Sequence, residues 1–345
     1  MSVQKTAVSK NGAETYAITA KSGMRAEIIT YGARIHKLFV PDKNGVLTDV
    51  IAGFDDADGY SGDNPYFNAI IGRVANRIGN AEFILGGKKY SLFANDGNNC
   101  LHGGATGFDR RLFEAKIPDE NGNSLILTYV SPDGEEGFPG ELALSVTYTV
   151  TENNALKIRY EARSTEDTPF NPTNHAYFNL DGNFVSVLDH ELFIDSRTMT
   201  PSDEELICKG EIADVSGTAF DFSVPKTIGR DIKCKNPLLE NARGGYDFNY
   251  VLKKGRALSS PAATAVSRKT GIKMDVFTDR PCIQLYTGNF LDGTLKGRAR
   301  YDYQSTLCLE TQGYPNSINV PSFPSDVLKK GDAFLSETVY AFSVE

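Results

Sequence analysis

Residues 142–150 read LALSVTYTV, and after TENNA residues 156–163 read LKIRYEAR. In the first run Leu142, Leu144, Val146, Tyr148 and Val150 alternate with Ala143, Ser145, Thr147 and Thr149. Successive side chains point to opposite faces of a strand, so the run predicts a strand with one strongly apolar face. In the second run Leu156, Ile158, Tyr160 and Ala162 alternate with Lys157, Arg159, Glu161 and Arg163. Together they predict an antiparallel hairpin whose charged face meets water. A slip of one residue would bury four charges, so the register is strongly specified.

The same period of two recurs along the chain. SLILTYVS (124–131), ETYAITA (14–20), MRAEIITYG (24–32), AEFILGGKKYSL (81–92) and SETVYAFSV (336–344) all read as short strands. Asn11-Gly12, Asn44-Gly45 and Lys21-Ser22-Gly23 supply turns. Residues 202–207, SDEELI, are expected to form one helical turn, and no longer segment sustains a helical period. With 32 Gly and 15 Pro punctuating strand-sized runs, the expected fold is all-β, a large and mainly antiparallel sandwich. A length of 345 residues exceeds the usual size of one domain. No linker-like tract or charge run divides it, so residues 1–345 are expected to form a single domain. No fixed-period repeat suggests a propeller.

Composition narrows the function. A net charge of −8 and the lack of a Lys/Arg-rich run disfavour nucleic acid as a partner. No apolar run approaches a membrane span, and the first twenty residues lack the apolar core of a signal peptide. Cys100, Cys208, Cys234, Cys282 and Cys308 are odd in number, scattered and without a CxxC pair. They predict neither a disulfide framework nor a zinc cage, and a cytoplasmic location is expected. GxGxxG, Walker, GxSxG and HExxH patterns are all missing. That disfavours nucleotide cofactors, α/β-hydrolase chemistry and zinc peptidases. Four dispersed histidines give no metal-ligand spacing.

Six polar stretches interrupt the strands. They are GRVANRIGNA (72–81), NNCLHGG (98–104), NPTNHAYFNL (171–180), GGYDFNY (244–250), IQLYTGNFLDG (283–293) and LCLETQGYPNSIN (307–319). Each has an ordinary structural reading. A lone histidine such as His102 or His175 commonly satisfies a polar corner, and an Asp before Phe, as at Asp247, commonly caps a turn. Asn76 and Gln284 are ordinary hydrogen-bonding residues. Glu310 stands out, because it continues the apolar run Leu307-Cys308-Leu309. A carboxyl there is either buried with a raised pKa or paired with an arginine, for which Arg77 is a candidate. His36 and His190 lie in strand-like runs and read as structural or surface residues.

In order and approximate spacing, NRI, LHGG, TNHAYFNL, YDFNY, YTGNFLDG and LETQGYPNSIN resemble the aldose 1-epimerase family over nearly the whole chain. The resemblance implies a large antiparallel β-sandwich and the interconversion of α and β anomers of a free aldose, galactose or glucose for example. It implies Glu310 as general base and His175 as general acid. His102 corresponds to a second histidine near the sugar ring oxygen. Asn76 and Arg77 correspond to a sugar-binding pair, Asp247 to a carboxylate on sugar hydroxyls, and Gln284 to a sugar-binding glutamine of some members. Tyr177, close to the acid, is expected to touch substrate. The implied chemistry needs no cofactor and no metal. Acid and base must meet the two oxygens on C1, each within about 3 Å of its proton partner. His175 is then expected to be protonated at working pH, helped by a nearby carboxylate. The partner is a small aldose sugar, and the protein itself is expected to be a monomer or homodimer.

Three rival readings stay open at this point. A glycoside hydrolase would pair Glu310 with Asp247. A non-catalytic carbohydrate-binding module would rely on Tyr177, Phe290 or Tyr314, since the chain has no Trp. A relative acting on hexose 6-phosphate would add Arg or Lys for the phosphate.

Overall fold

The computed structural model describes residues 1–119, 122–253, 258–295 and 297–345. Leu142–Val150 and Ala155–Ser164 pair antiparallel, with Leu144 opposite Ala162 and Val146 opposite Tyr160. Leu142, Leu144, Val146, Tyr148 and Val150 are buried, as are Leu156, Ile158, Tyr160 and Ala162. Arg159, Glu161 and Arg163 stand in water. Burial of one such side chain stabilises the fold by about 1.5–3 kcal/mol, which is what locks the register.

The hairpin sits inside a nine-stranded sheet. Its order is Glu114–Lys116, Ser124–Ser131, Leu142–Val150, Ala155–Ser164, Ala333–Val344, Ile272–Thr278, Ala263–Val266, Glu191–Ile194, Lys226–Thr227. A five-stranded sheet runs in chain order through Ser2–Val8, Glu14–Thr19, Arg25–Ile29, Arg34–Pro41 and Leu47–Asp49. Another five-stranded sheet is ordered Ala213–Asp214, Thr198–Thr200, Asp247–Val251, Cys282–Tyr286, Cys308–Gln312. All named ladders are antiparallel. One buried cluster draws on all three sheets, with Ile28 and Ile35 from the first, Val146 and Ile158 from the large one, and Phe248 and Leu309 from the third. The fold is thus all-β, and its apolar faces close on one another as a sandwich requires.

Three local readings change. The stretch 81–92 is a hairpin of two strands, Glu82–Leu85 and Lys88–Ser91, because Gly86 and Gly87 both take positive φ and turn the chain back. SDEELI makes no helical turn. The Asp203 carboxylate instead accepts from the backbone N–H of Glu205 and Ile207, and Leu206 takes φ +60. An Asp so placed competes with the helix for the same backbone groups. The α-helix among the described residues is Pro237–Asn241, capped by the Asn236 side chain accepting from Leu238 N–H and starting on a Pro. No helix among the described residues is long and apolar enough to cross a membrane.

Candidate active site

The third sheet explains how LCLETQ can be buried on both faces. Opposite one another stand Asn249, Gln284 and Glu310 in one row, and Asp247, Tyr286 and Cys308 in the next. These residues share a face. The alternate residues Phe248, Ile283, Leu285 and Leu309 join the main core. Period-two alternation therefore anchors the strands in the sandwich and presents a row of polar groups on the other side.

That side forms the floor of a cavity of about 230 Å³. Lining it are Asn76, Arg77, His102, His175, Tyr177, Asp247 and Glu310, all expected from the sequence, together with Tyr66, Asp96, Tyr286 and Phe290. Gln284 does not line this cavity. It stands behind Asp247, donating from Nε2 to Asp247 Oδ1 at 2.6 Å. Asp247 is therefore the first residue of a strand and not a turn cap. Tyr177 presents its ring, while its hydroxyl donates to the Pro65 carbonyl at 2.7 Å.

Among the described residues Glu310 forms no ion pair with an arginine. His175 Nε2 lies 3.7 Å from Glu310 Oε1, too long for a hydrogen bond and close enough to share a reacting group. His175 Nδ1 and Glu310 Oε2 are buried without a hydrogen-bond partner among the described residues. Such atoms are costly to leave unpaired, and both residues line the cavity, where a bound group could satisfy them. The His175 ring stacks on Tyr177 at 4.8 Å and meets His102 edge-on at 5.1 Å. Burial pushes the His175 imidazole down to about 3. It pushes the Glu310 carboxyl well above the ordinary glutamate range, reinforced by Asp247 and opposed by Arg77. The expectation of a protonated His175 is thereby corrected for the resting protein: desolvation outweighs the nearby carboxylate, and the neutral pair is favoured.

His102 follows Cys100–Leu101, a strand paired with Arg77–Ile78. Its backbone N–H donates to the Asn76 carbonyl at 2.9 Å, and the Asn76 N–H donates to His102 Nδ1 at 3.2 Å. His102 takes φ +54 and Gly103 φ +93, and a Cβ on Gly103 would lie 1.9 Å from the Gly72 carbonyl oxygen. Glycine is required at that position. The Asn95 amide accepts from Leu101 N–H and donates to the Leu101 and Gly104 carbonyls, so it clasps the same loop.

Ligand atoms of His102, His175 and Glu310 all lie within 4.8 Å of one another, a donor set that suits zinc or a related ion. The tautomer argues against that use. Because Nδ1 of His102 accepts a backbone proton, its Nε2 carries the ring hydrogen and turns a donor, not a lone pair, away from Asn76. Burial, with His175 and Arg77 adding, keeps that ring neutral. The three groups fit proton transfer and hydrogen bonding better than metal ligation.

Residues 14–341 match the family model described as aldose 1-epimerase. The chain belongs to the aldose 1-epimerase family. It is 43% identical to a galactose mutarotase of Bos taurus over 324 residues, 93% of this chain and 92% of that one. Crystal structures of an aldose epimerase homologue from C. elegans and of a galactose 1-epimerase from Lactobacillus acidophilus NCFM both superpose with a TM-score of 0.87. The first is 31% identical and covers 96% of this chain and 99% of its own, and the second is 26% identical and covers 99% and 98%. Within an aldose 1-epimerase the sequence motifs account for seven of the cavity's residues. Tyr286 opens the motif YTGNFLDG without being singled out there, while Asp96 and Tyr66 fall outside the motifs, since an Asp in a turn and a lone tyrosine carry no local mark of a site.

Proposed function

We propose that the protein is an isomerase, an aldose 1-epimerase that interconverts the α and β anomers of free aldohexoses such as galactose and glucose. The observation that carries this reading is the 3.7 Å approach of His175 Nε2 to Glu310 Oε1 inside a cavity also lined by Arg77, Asp247 and His102. O1 and O5 of a cyclic sugar are bonded to the same carbon and lie closer together than a hydrogen bond is long. Two groups this near each other reach both oxygens at once.

Glu310 removes the C1 hydroxyl proton, and His175 gives a proton to O5 as the C1–O5 bond breaks. The product is the open-chain aldehyde. Rotation about C1–C2 presents the other carbonyl face. O5 then attacks C1, His175 recovers its proton from O5, and Glu310 returns its proton to O1. Atoms and charges balance, and no cofactor enters. The pair needs one proton in total. Burial favours its resting place on Glu310, and the reactive arrangement moves it to His175. Arg77 opposes the rise of the Glu310 pKa, so it favours the ionised base. His102, through its Nε2–H, donates to the ring oxygen region. Arg77, Asn76 and Asp247 hold the remaining hydroxyls, Gln284 orients Asp247, and Tyr177 packs against the sugar face. Residues 1–345 act as one domain, a monomer or homodimer, in the cytoplasm, a setting that the odd and scattered cysteines support.

Polarimetry of freshly dissolved α-galactose tests the reading. The protein should bring rotation to its equilibrium value much faster than buffer alone. Glu310→Gln and His175→Asn should each slow kcat by about 10²–10⁴-fold in a folded protein. Near-normal rates in both variants would falsify the assignment.

A further inference from the structure

Arg77 Nε donates to Asp96 Oδ2 at 2.7 Å, a charge-assisted bond at the mouth of the cavity. The guanidinium is a rigid planar fork, so a bond at Nε fixes where its two Nη groups point. Among the described residues neither Nη donates a hydrogen bond to another protein group, and Arg77 lines the cavity. A second carboxylate, Asp247, lines the same cavity and feels both Arg77 and Asp96 electrostatically. Arg77 thus stands before two carboxylates and is hydrogen-bonded to the outer one. Were it to turn inward and pair with Asp247, its donors and that carboxylate would neutralise each other and be lost to a ligand.

We propose that Asp96 is a positioning residue that holds the Arg77 fork open toward the sugar, and so sets how tightly the site grips the substrate hydroxyls; this rests on the reading of the cavity as a sugar site. Asp96 is suited to that work. Its backbone exchanges hydrogen bonds with Asn99 across a tight turn, 3.1 Å from its N–H and 2.9 Å to its carbonyl. Asn95, its neighbour, ties the turn to the His102 loop. The Asp96 side chain is 38% exposed against 11% for Arg77, so its removal opens no core. Only Asp96 is partly exposed and Arg77 is buried, so the thermal unfolding of each variant is what separates a binding role from a stabilising one.

The test is steady-state polarimetry of galactose with Asp96→Ala, Asp96→Asn, Arg77→Ala and the Asp96→Ala/Arg77→Ala double variant, with thermal unfolding of each. Asp96→Ala should raise KM about 10-fold or more, the effect of losing one charge-assisted hydrogen bond, with kcat within about twofold of the unmodified protein in a variant that still unfolds cooperatively. Asp96→Asn retains an acceptor oxygen and should fall between the two. In the Arg77→Ala background the Asp96 change should add almost nothing, because its partner is gone. An unchanged KM in Asp96→Ala, an effect that persists in full without Arg77, or a loss confined to kcat overturns the proposal. If the unmodified protein shows no anomer exchange, the functional reading is at fault. The role of Asp96 is then decided by calorimetric titration with galactose, where Asp96→Ala must weaken binding or the proposal fails.

Discussion

At His36 the Nδ1 atom lies 3.1 Å from the Tyr60 hydroxyl in a buried corner, and burial pushes the imidazole down to about 3. His190, whose Nε2 accepts from Leu180 N–H, is pushed down to about 4 by the same cause. Both histidines are structural and neither is on the surface. A histidine near 6.5 in the unfolded chain and depressed in the folded one stabilises the fold fully above about pH 6.5, and that stability is lost as pH falls toward the folded value. The buried carboxyls of Asp49, Asp109 and Asp326 are raised by burial and act with the opposite sign, losing stability as pH rises through their folded values. The total curve is a sum of both, so the informative measurement is a difference. In urea titrations between pH 6.5 and 4.5, His36→Asn should flatten the fall of unfolding free energy relative to the unmodified protein by about 1.4 kcal/mol per pH unit. Parallel curves would show that His36 is charged in the fold. The same burial that sets His36 was partly legible at the site. Leu307-Cys308-Leu309 marked Glu310 as buried, but its neighbour in space, His175, was legible only through the family resemblance and not from the residues around it. Arg77 finds Asp96, and Glu310 finds His175. Asp247 read as a turn cap because its partner, Gln284, lies on another strand.

Whole strands were easier to read than their partners, because alternation is written locally. Ser124–Ser131 and Leu142–Val150 coincide with the sequence reading residue for residue. Where two strands meet at Gly86-Gly87, alternation alone did not show the break, and at 202–207 an Asp side chain displaced the expected helical turn. The loop after Cys100–Leu101 is the element on which the proposed chemistry most depends, and it has little slack. His102 and Gly103 take positive φ in succession, and the Gly103 Cα faces the Gly72 carbonyl. Gly103→Ala would place a methyl group against backbone that cannot swing aside. It should destabilise the protein by about 2–4 kcal/mol. Because the loop carries His102, kcat/KM should fall as well. Urea unfolding at constant m-value together with polarimetry measures both, and a variant with unchanged midpoint would show that the loop relaxes freely.

At the scale of the molecule, the order of strands in the large sheet was the least legible feature. Ala333–Val344, near the end of the chain, lies between Ala155–Ser164 and Ile272–Thr278, pairing with both. Nothing local distinguishes a strand that closes a sheet from one at its edge, because both alternate. The consequence is physical. Leu156 lies opposite Tyr340, and Val276 lies opposite the same tyrosine. Tyr340 and Phe342 belong to the main core, and the Tyr340 hydroxyl donates to the Leu309 carbonyl, one residue from Glu310. The last strand therefore joins the two halves of the nine-stranded sheet and braces the strand that carries the proposed base. A chain ending at residue 332 would leave two long strands with open edges and the apolar face between them uncovered, a state that favours aggregation over folding. It should accumulate as insoluble protein, or as a soluble form without a cooperative thermal transition and without anomer-exchange activity. A soluble truncated chain that unfolds cooperatively would mean that the two halves close on each other without Ala333–Val344, and that this strand is an edge in energetic terms though central in position.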